Sequence, residues 1–300
     1  SREGRPLGNL ICHRGAVVSQ SGYLLDRYGQ IEVLREAAEQ KLLVEPGDSH
    51  SLRTLGEIAF NNNELDQAIQ WLLNAYSMDP ADLQTREVLS ECLQVALDEE
   101  FVKYRRHLPL FEEVQGPSDN EQLTLLRLQA KGMLDVGDML GAFDICVKMS
   151  ERVDAREIVM RLGQHHQVAL PRWIQEQVST IWQQADGQQR EQIGSKLEAM
   201  VADLVREESN SKSEYFLQCF ASLGMCEPLM MQVAIEHFKQ SRLLDAQQLL
   251  IHLSSSRNQA IRGEAIARSS QILHQTNLPQ LAISFDRQLS TTFADLPCID

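Results

Sequence analysis

From Ile31 onward, apolar residues recur every three or four positions along the chain. In "IEVLREAAEQKLLVEP" this spacing predicts a helix that stops at Pro46. Breaks follow at "QGPSDN" (115–120), "ALP" before Trp173, "ADGQQ" (185–189), "EESNSKS" (207–213) and "CEP" before Leu229. The stretches between are about 12 to 20 residues long, an ordinary helix length. The pattern predicts about a dozen helices joined by short turns, which means a bundle or a solenoid, with no strand after residue 30. Residues 1–30 read differently. "NLICHRGAVVSQSGYLLDRYG" holds short runs of Val, Ile, Leu and Tyr, and His13-Arg14-Gly15 and Ser21-Gly22 serve as turns between two or three strands. So few strands are only marginally stable alone. This arm either packs on the helices or ends a β domain that lies upstream.

The stretch "LRTLGEIAFNNNELDQAIQWLLNAYSMDP" (52–80) puts Gly56, Ala59, Ala68 and Ala75 within leucine-rich helical text. Antiparallel helices approach closely only where side chains are small. Gly56 on a first helix and Ala68 on a second are spaced to face each other across a tight hairpin. Asn63 is placed to end the first helix in the left-handed conformation, and Pro80 stops the second. Leu52, Leu55, Phe60, Leu65, Ile69 and Leu72 fill the surrounding space, and Ala75 admits the next helix. Over residues 49–82 this resembles the tetratricopeptide repeat, a helix–turn–helix unit of about 34 residues. Leu55-Gly56 fits the family's Leu-Gly, Ala68 its central alanine, Leu72 its usual Phe and Pro80 its closing proline. Leu52 stands where the family has Trp, and Ala59 where it has Tyr. The same register recurs in "AKGMLDVGDMLGA" and "AIEHFKQSRLLDA". There Ala130 and Ala142, or Ala234 and Ala246, repeat the small pair. Gly137 and Ser241 match Asn63, Leu134 and Phe238 match Phe60, and Met139 and Leu243 match Leu65. "NLPQLAISF" near Ala282 is a candidate fourth copy. Alanines mark helix crossings in any bundle, but here several positions agree at once. The stretches "PRWIQEQVSTIWQQ" and "QREQIGSKLEAMVADLV" are helical without the signature, and irregular hairpins are expected there.

The expected fold is therefore all-α: a tetratricopeptide-like helical-hairpin solenoid (an α-α superhelix) with a short β-strand arm at its N-terminus. The expected organisation is a strand arm over 1–30, tetratricopeptide-like repeats over 31–116 and a degenerate repeat array over 117–300. The N-terminal "GRPLGNLICHRGAVVSQS" also resembles the exit strands of a β-propeller of the pyrroloquinoline-quinone-like type. In some large bacterial proteins such a propeller leads into a helical-repeat tail. That resemblance makes residues 1–30 the last strands of an upstream propeller and leaves this chain without a quinone site. The opening "SREGRPLG" has neither an initiating methionine nor a signal peptide, which reads as a trimmed chain or a piece of something longer. The compartment stays open between the cytoplasm and, with a propeller, the bacterial periplasm or cell envelope.

Composition narrows the chemistry. The 300 residues carry a net charge of −14, and no basic run exceeds "YRRH", so neither nucleic acid nor an anionic membrane surface is an expected partner. No apolar stretch approaches the roughly 18 residues a membrane span needs. The six cysteines form no CxxC pair and sit mostly among apolar neighbours, which reads as reduced thiols acting as small hydrophobes. Cys219 and Cys226 read as core, with a helix break between them. His165-His166 is the one histidine pair. Neighbours on a helix point about 100° apart, so the doublet suits a helix end better than a metal. No GxSxG, HExxH, P-loop or GxGxxG is present. The doublets Glu99-Glu100, Glu112-Glu113 and Glu207-Glu208 read as solvated faces. Trp71, Trp173 and Trp182 read as cover for core edges. No metal or cofactor is expected.

The family resemblance implies that the first helices of the hairpins line a concave surface that takes peptide segments. Arg53, Glu57, Phe60 and Asn61 are the binding residues expected in the first repeat, with Phe60 shared with the core. The lysines of the family's carboxylate clamp are missing and only Asn61 echoes it, so that function is not carried over. The leading expectation is a non-catalytic protein–protein interaction scaffold with a basic or neutral protein or peptide partner. One alternative is a purely architectural tail that orients an upstream propeller. Another is an enzyme with a deep helical pocket around His165 or Glu207.

Overall fold

The computed structural model describes residues 9–13, 16–20, 25–116, 119–151, 159–162, 166–207 and 210–293. The chain divides into two compact units, Ser1–Leu128 and Gln129–Asp300.

The first unit opens with an antiparallel meander of β1 (Asn9–His13), β2 (Ala16–Gln20) and β3 (Leu25–Gly29), in the order β1-β2-β3. Every residue of β1 is exposed, while Ala16 and Ser19 of the central strand are buried. Helix α1 (Ile31–Val44) follows and packs on α2 (Ser49–Asn61). Helices α2 and α3 (Leu65–Met78) form a hairpin, and α4 (Leu83–Glu99) packs on α3. The return from α4 is broken into α5 (Phe101–Tyr104), a 3-10 turn at Arg105–His107 and α6 (Leu108–Val114), where Pro109 opens the last piece. One apolar cluster, including Leu72, Leu89, Leu93, Leu97 and Phe111, joins α3, α4 and α6. Polar ties cross it. Asp66 of α3 accepts from Lys103 Nζ (2.8 Å) and Tyr104 Oη (2.9 Å), and buried Arg127 of α7 (Asp119–Asp135) holds Asp98 of α4 with two bonds of 2.8 and 2.5 Å.

The second unit continues from the end of α7 into α8 (Met139–Ser150), then a two-stranded hairpin of β4 (Val159–Leu162) and β5 (His166–Ala169). Helices α9 (Leu170–Gln184), α10 (Gly187–Glu207) and α11 (Asn210–Phe220) follow. Helix α9 packs on α8 and α11, while α10 reaches α8 and α12, so this stretch departs from the hairpins of irregular length expected there. A 3-10 turn at Gly224–Cys226 leads to α12 (Glu227–Lys239), α13 (Leu243–Leu253), α14 (Gln259–Gln275) and α15 (Pro279–Thr292).

One turn is built four times. Asn63, Gly137, Ser241 and Asn277 all have positive φ, at 62°, 81°, 61° and 57°. Each closes its helix in the same way. Its own N–H reaches the carbonyl three residues back (Phe60, Leu134, Phe238, His274) at 3.0–3.2 Å, and the next N–H reaches Ala59, Met133, His237 or Leu273 at 2.8–2.9 Å. This pairing satisfies carbonyls that a helix end would leave open. The second helix starts at once, and one turn into it Ala68, Ala142, Ala246 and Ala282 are fully buried. Two turns before each left-handed residue stand Gly56, Ala130, Ala234 and Ser270, all buried. The fourth copy at Ala282 thus belongs to the set, and the all-α hairpin class with its strand arm is the fold. It is tetratricopeptide-like in its turns and small residues.

Two expectations are corrected. Strands do occur after residue 30. "VMRL" and "HQVA" pair antiparallel from Val159↔Ala169 to Leu162↔His166. Each run is four residues and rich in neither period, so helical spacing nearby masked it. His166 therefore lies in a strand rather than at a helix end, and His165 lies outside the described residues. Gly56 lies tight against the second helix at Leu72: a Cβ built there would sit 2.6 Å from Leu72 Cγ and 2.8 Å from its Cδ2. Leu72 is one turn beyond Ala68 on that helix.

The left-handed turns generate a stability prediction. A non-glycine residue in that region costs roughly 1–2 kcal/mol. Ser241→Gly is expected to stabilise the protein by about 0.5–1 kcal/mol in urea unfolding, and Asn63→Val to destabilise it by about 1–2 kcal/mol.

Candidate functional site

Two first helices, α2 and α4, touch directly in the first unit. They start alike. Asp48 caps α2 by accepting from Ser51 N–H at 2.8 Å. Asp82 caps α4 by accepting from Gln84 and Thr85 N–H at 3.2 and 3.3 Å. One tetratricopeptide period of about 34 residues separates the two caps. Hydrogen bonds from Lys41 and Ser51 hold the Asp48 carboxyl far below the usual carboxylate range. The Thr85 hydroxyl, with Arg53 opposite, lowers that of Asp82.

The four expected binding residues fall as follows. Arg53 is turned to the next repeat: its guanidinium pairs with Asp82, lies 2.9 Å from His50 Nδ1 and stands 3.7 Å from Glu57. Its side chain is 12% exposed, so it ties α2 to the cap of α4. Glu57 is half-buried beside it, Phe60 is partly buried against the core, and Asn61 is exposed. Counting one period on, Glu87 and Glu91 are exposed and Gln94 half-buried on α4. The α2–α4 surface is thus acidic, with its one arginine engaged in bridging the helices.

Other candidates resolve into structure. Cys92, Cys146, Cys219 and Cys226 are buried, and burial pushes their thiols up to about 12. Cys226 donates to the Phe220 carbonyl at 3.3 Å beyond the break that separates it from Cys219. Trp173 is buried, and Trp71 and Trp182 are half-buried. Glu99, Glu100, Glu112, Glu113 and Glu207 are exposed; Glu208 lies outside the described residues. Sequence reasoning missed Ser270, His274 and Asp286. Asp286 of α15 accepts from the Ser270 hydroxyl and meets His274 Nε2 at 3.1 Å. The carboxylate stands between the other two, so the serine proton faces a carboxylate and not an imidazole, and the group clasps α14 to α15. Its signal was legible, since Ser270 holds the register position of Gly56. His237 of α12 was missed as well. It is 4% exposed, its Nε2 lies 3.6 Å from Glu214, and its Nδ1 is buried with no hydrogen-bond partner among the described residues. Arg242, beside it, binds Glu214 and Asp245 at 2.8 Å each. Among the described residues, no group of three or more His, Cys, Asp or Glu could hold a metal, and no helix is long and apolar enough to cross a membrane.

No protein-family model matches the chain, and no curated protein matches it. Among solved structures it is similar to one of PilF from Pseudomonas aeruginosa, at 12% identity over 89% of this chain and 95% of that one, with a TM-score of 0.28. It is also similar to the TPR domain of P58(IPK), at 13% identity over 89% and 80% of the two chains, TM-score 0.25. A third is the human IFIT1 dimer with m7Gppp-AAAA, at 13% identity over 90% and 56%, TM-score 0.25. The four turns above, and not these likenesses, define the fold.

Two predictions follow from the charged groups. Asp82→Ala removes both the cap and the partner of Arg53, and is expected to cost about 1–2 kcal/mol in urea unfolding. Asp82→Asn keeps the cap and is expected to cost less than half of that. Burial, then Arg242, lowers the pKa of His237, while Glu214, Asp245 and Glu236 oppose them. The unfolded histidine takes up a proton below about pH 6.5 and the folded one resists it. The stability held by neutral His237 is therefore complete above that pH and declines as pH falls. The urea midpoint is expected to drop between pH 7.5 and 5.5, and His237→Asn to flatten that slope; the lowered aspartates titrate in a separate window below about pH 4.

Proposed function

We propose that the chain is a non-catalytic interaction scaffold that holds a peptide or protein segment against the α2–α4 face. The observation that supports this reading is the run of exposed and half-buried side chains on two adjoining first helices. Glu57, Phe60 and Asn61 on α2 continue into Glu87, Glu91 and Gln94 on α4. Phe60 offers an apolar edge and the glutamates an acidic field. Arg53 fixes the spacing of the helices by binding Asp82. A basic or neutral segment suits such a face, since opposite charge speeds encounter and like charge excludes wrong partners. The scaffold needs no cofactor.

A second reading is architectural, and the exposed β1 strand favours it. Leu10 and Ile11 are 54% and 57% exposed on an edge strand without a charged residue other than His13. Such an edge is a template for another strand, and an upstream β-propeller would supply one. An enzyme reading required a cleft near Glu207. A cleft is present there, lined by Glu151, Asp203, Glu207 and Tyr215, and a turnover assay separates that reading from the scaffold.

Photo-cross-linking in the full-length protein, in its own cells, tests the scaffold. A benzophenone amino acid at Asn61 is expected to form adducts with a separate protein, and one at exposed Asn74 on α3 is not. Adducts confined to the protein's own upstream chain would favour the architectural reading. Equal capture at both positions would contradict the proposed face.

A further inference from the structure

The second unit holds a cleft of about 660 Å³ where the ends of α8 and α10 meet α11. That volume lies within the range of about 300–1,000 Å³ typical of ligand sites. We propose that this cleft receives a cationic side chain, arginine or lysine, carried on an apolar segment of a partner protein. Its floor is apolar and aromatic: Met200 and Leu204 from α10, Tyr215 and Phe216 from α11. Its rim carries three carboxylates, Glu151, Asp203 and Glu207, against one ammonium, Lys212, which leaves it net acidic.

The placement of those carboxylates argues for a cation. Glu151 is the C-cap of α8 and Glu207 closes α10. Helix C-termini carry partial negative charge, so a carboxylate there adds repulsion where a cation would be favoured. Arg206 binds Asp203, and Lys212 binds Glu207 at 2.9 Å, but these are surface pairs with side chains 76% and 65% exposed. Exposed pairs of this kind contribute little and exchange with solvent readily. Tyr215 and Phe216 are buried, so they offer an incoming side chain an apolar wall for its stem while the rim offers charge for its tip.

The same features exclude other occupants. A phosphate or a nucleic-acid backbone meets three carboxylates and two negative helix ends, against the single lysine and the one positive helix end that α11 contributes. A purely apolar segment would strip water from the rim without pairing it. A second copy of this chain, with a net charge of −14, brings like charge to like. A long side chain with an apolar stem and a charged tip matches both floor and rim.

The test uses the whole chain and a fluorescein-labelled peptide of alternating leucine and arginine, read by fluorescence anisotropy. Saturable binding is expected, weakening as salt rises. The double variant Glu151→Lys/Glu207→Lys is expected to weaken it at least about tenfold. Glu36→Lys/Glu39→Lys, the same charge change on exposed positions of α1, should alter it less than about twofold. Leu204→Trp, which fills the cleft, should block it while circular dichroism stays unchanged. Equal losses from both charge reversals, or binding indifferent to Leu204→Trp, would overturn the proposal, as would absence of saturable binding. Competition by spermine as effective as by the unlabelled peptide would overturn its apolar half. Should Leu204→Trp unfold the protein, the Met200 methyl resonance of the wild-type chain decides: it shifts on titration with the peptide if the cleft is occupied, and its constancy contradicts the proposal.

Discussion

Everything in this protein depends on two helices coming close enough to exclude side chains from between them. Gly56 makes that possible in the first hairpin, where the space a methyl would need is taken by Leu72. The turn sets the distance. A left-handed residue reverses the chain within a few positions, its neighbours satisfy the open carbonyls, and the second helix begins directly against the first. A buried alanine one turn into each second helix completes the contact. Because the same solution appears four times with different side chains, it belongs to the backbone geometry and not to one local packing accident.

Hairpins built this way leave the outer surfaces of their first helices to solvent, which is where a scaffold can act. In the first unit that surface is acidic and internally braced. Asp82 serves two purposes there, capping α4 and anchoring Arg53, so the stability of the second repeat and the shape of the proposed binding face are coupled. In the second unit the regular order is broken by α9–α11, and the irregularity opens the cleft beside Phe216. Regular hairpins give a surface, and a departure from them gives a pocket. The proposed modes of recognition share one chemistry, basic groups meeting carboxylates, which the overall charge of the chain favours.

Much of this is legible in the residues. Asn63 and Gly137 tolerate positive φ, and their distance from Ala68 and Ala142 gives the turn directly. Ser241 is legible by register alone, since serine has no special claim to that conformation. Asn277 follows once Ala282 is aligned with the other alanines. The tight contact of Gly56 with Leu72 was not legible, because spacing in sequence identifies two helices that pair but not every residue that sits level. The β4–β5 hairpin was hidden because four-residue runs leave too little period to distinguish from helix. At the proposed site, Glu57 and Asn61 could be read from helical spacing. The engagement of Arg53 with Asp82 could not, since it joins residues in successive repeats and depends on how closely α2 and α4 approach. The equal placement of Asp48 and Asp82 was there to be found one period apart, a signal as specific as the alanines. His237 was legible only by register, since it stands four residues before Ser241 as buried Ala59 stands before Asn63.

The most direct test of the close approach is a double-mutant cycle between Gly56→Ala and Leu72→Ala, measured by urea unfolding. If the two residues share one space, the added methyl is costly against leucine and tolerated against alanine. The cycle then returns a coupling of about 1 kcal/mol or more. Effects that add to within about 0.5 kcal/mol would mean that the helices do not meet there, and would contradict the account.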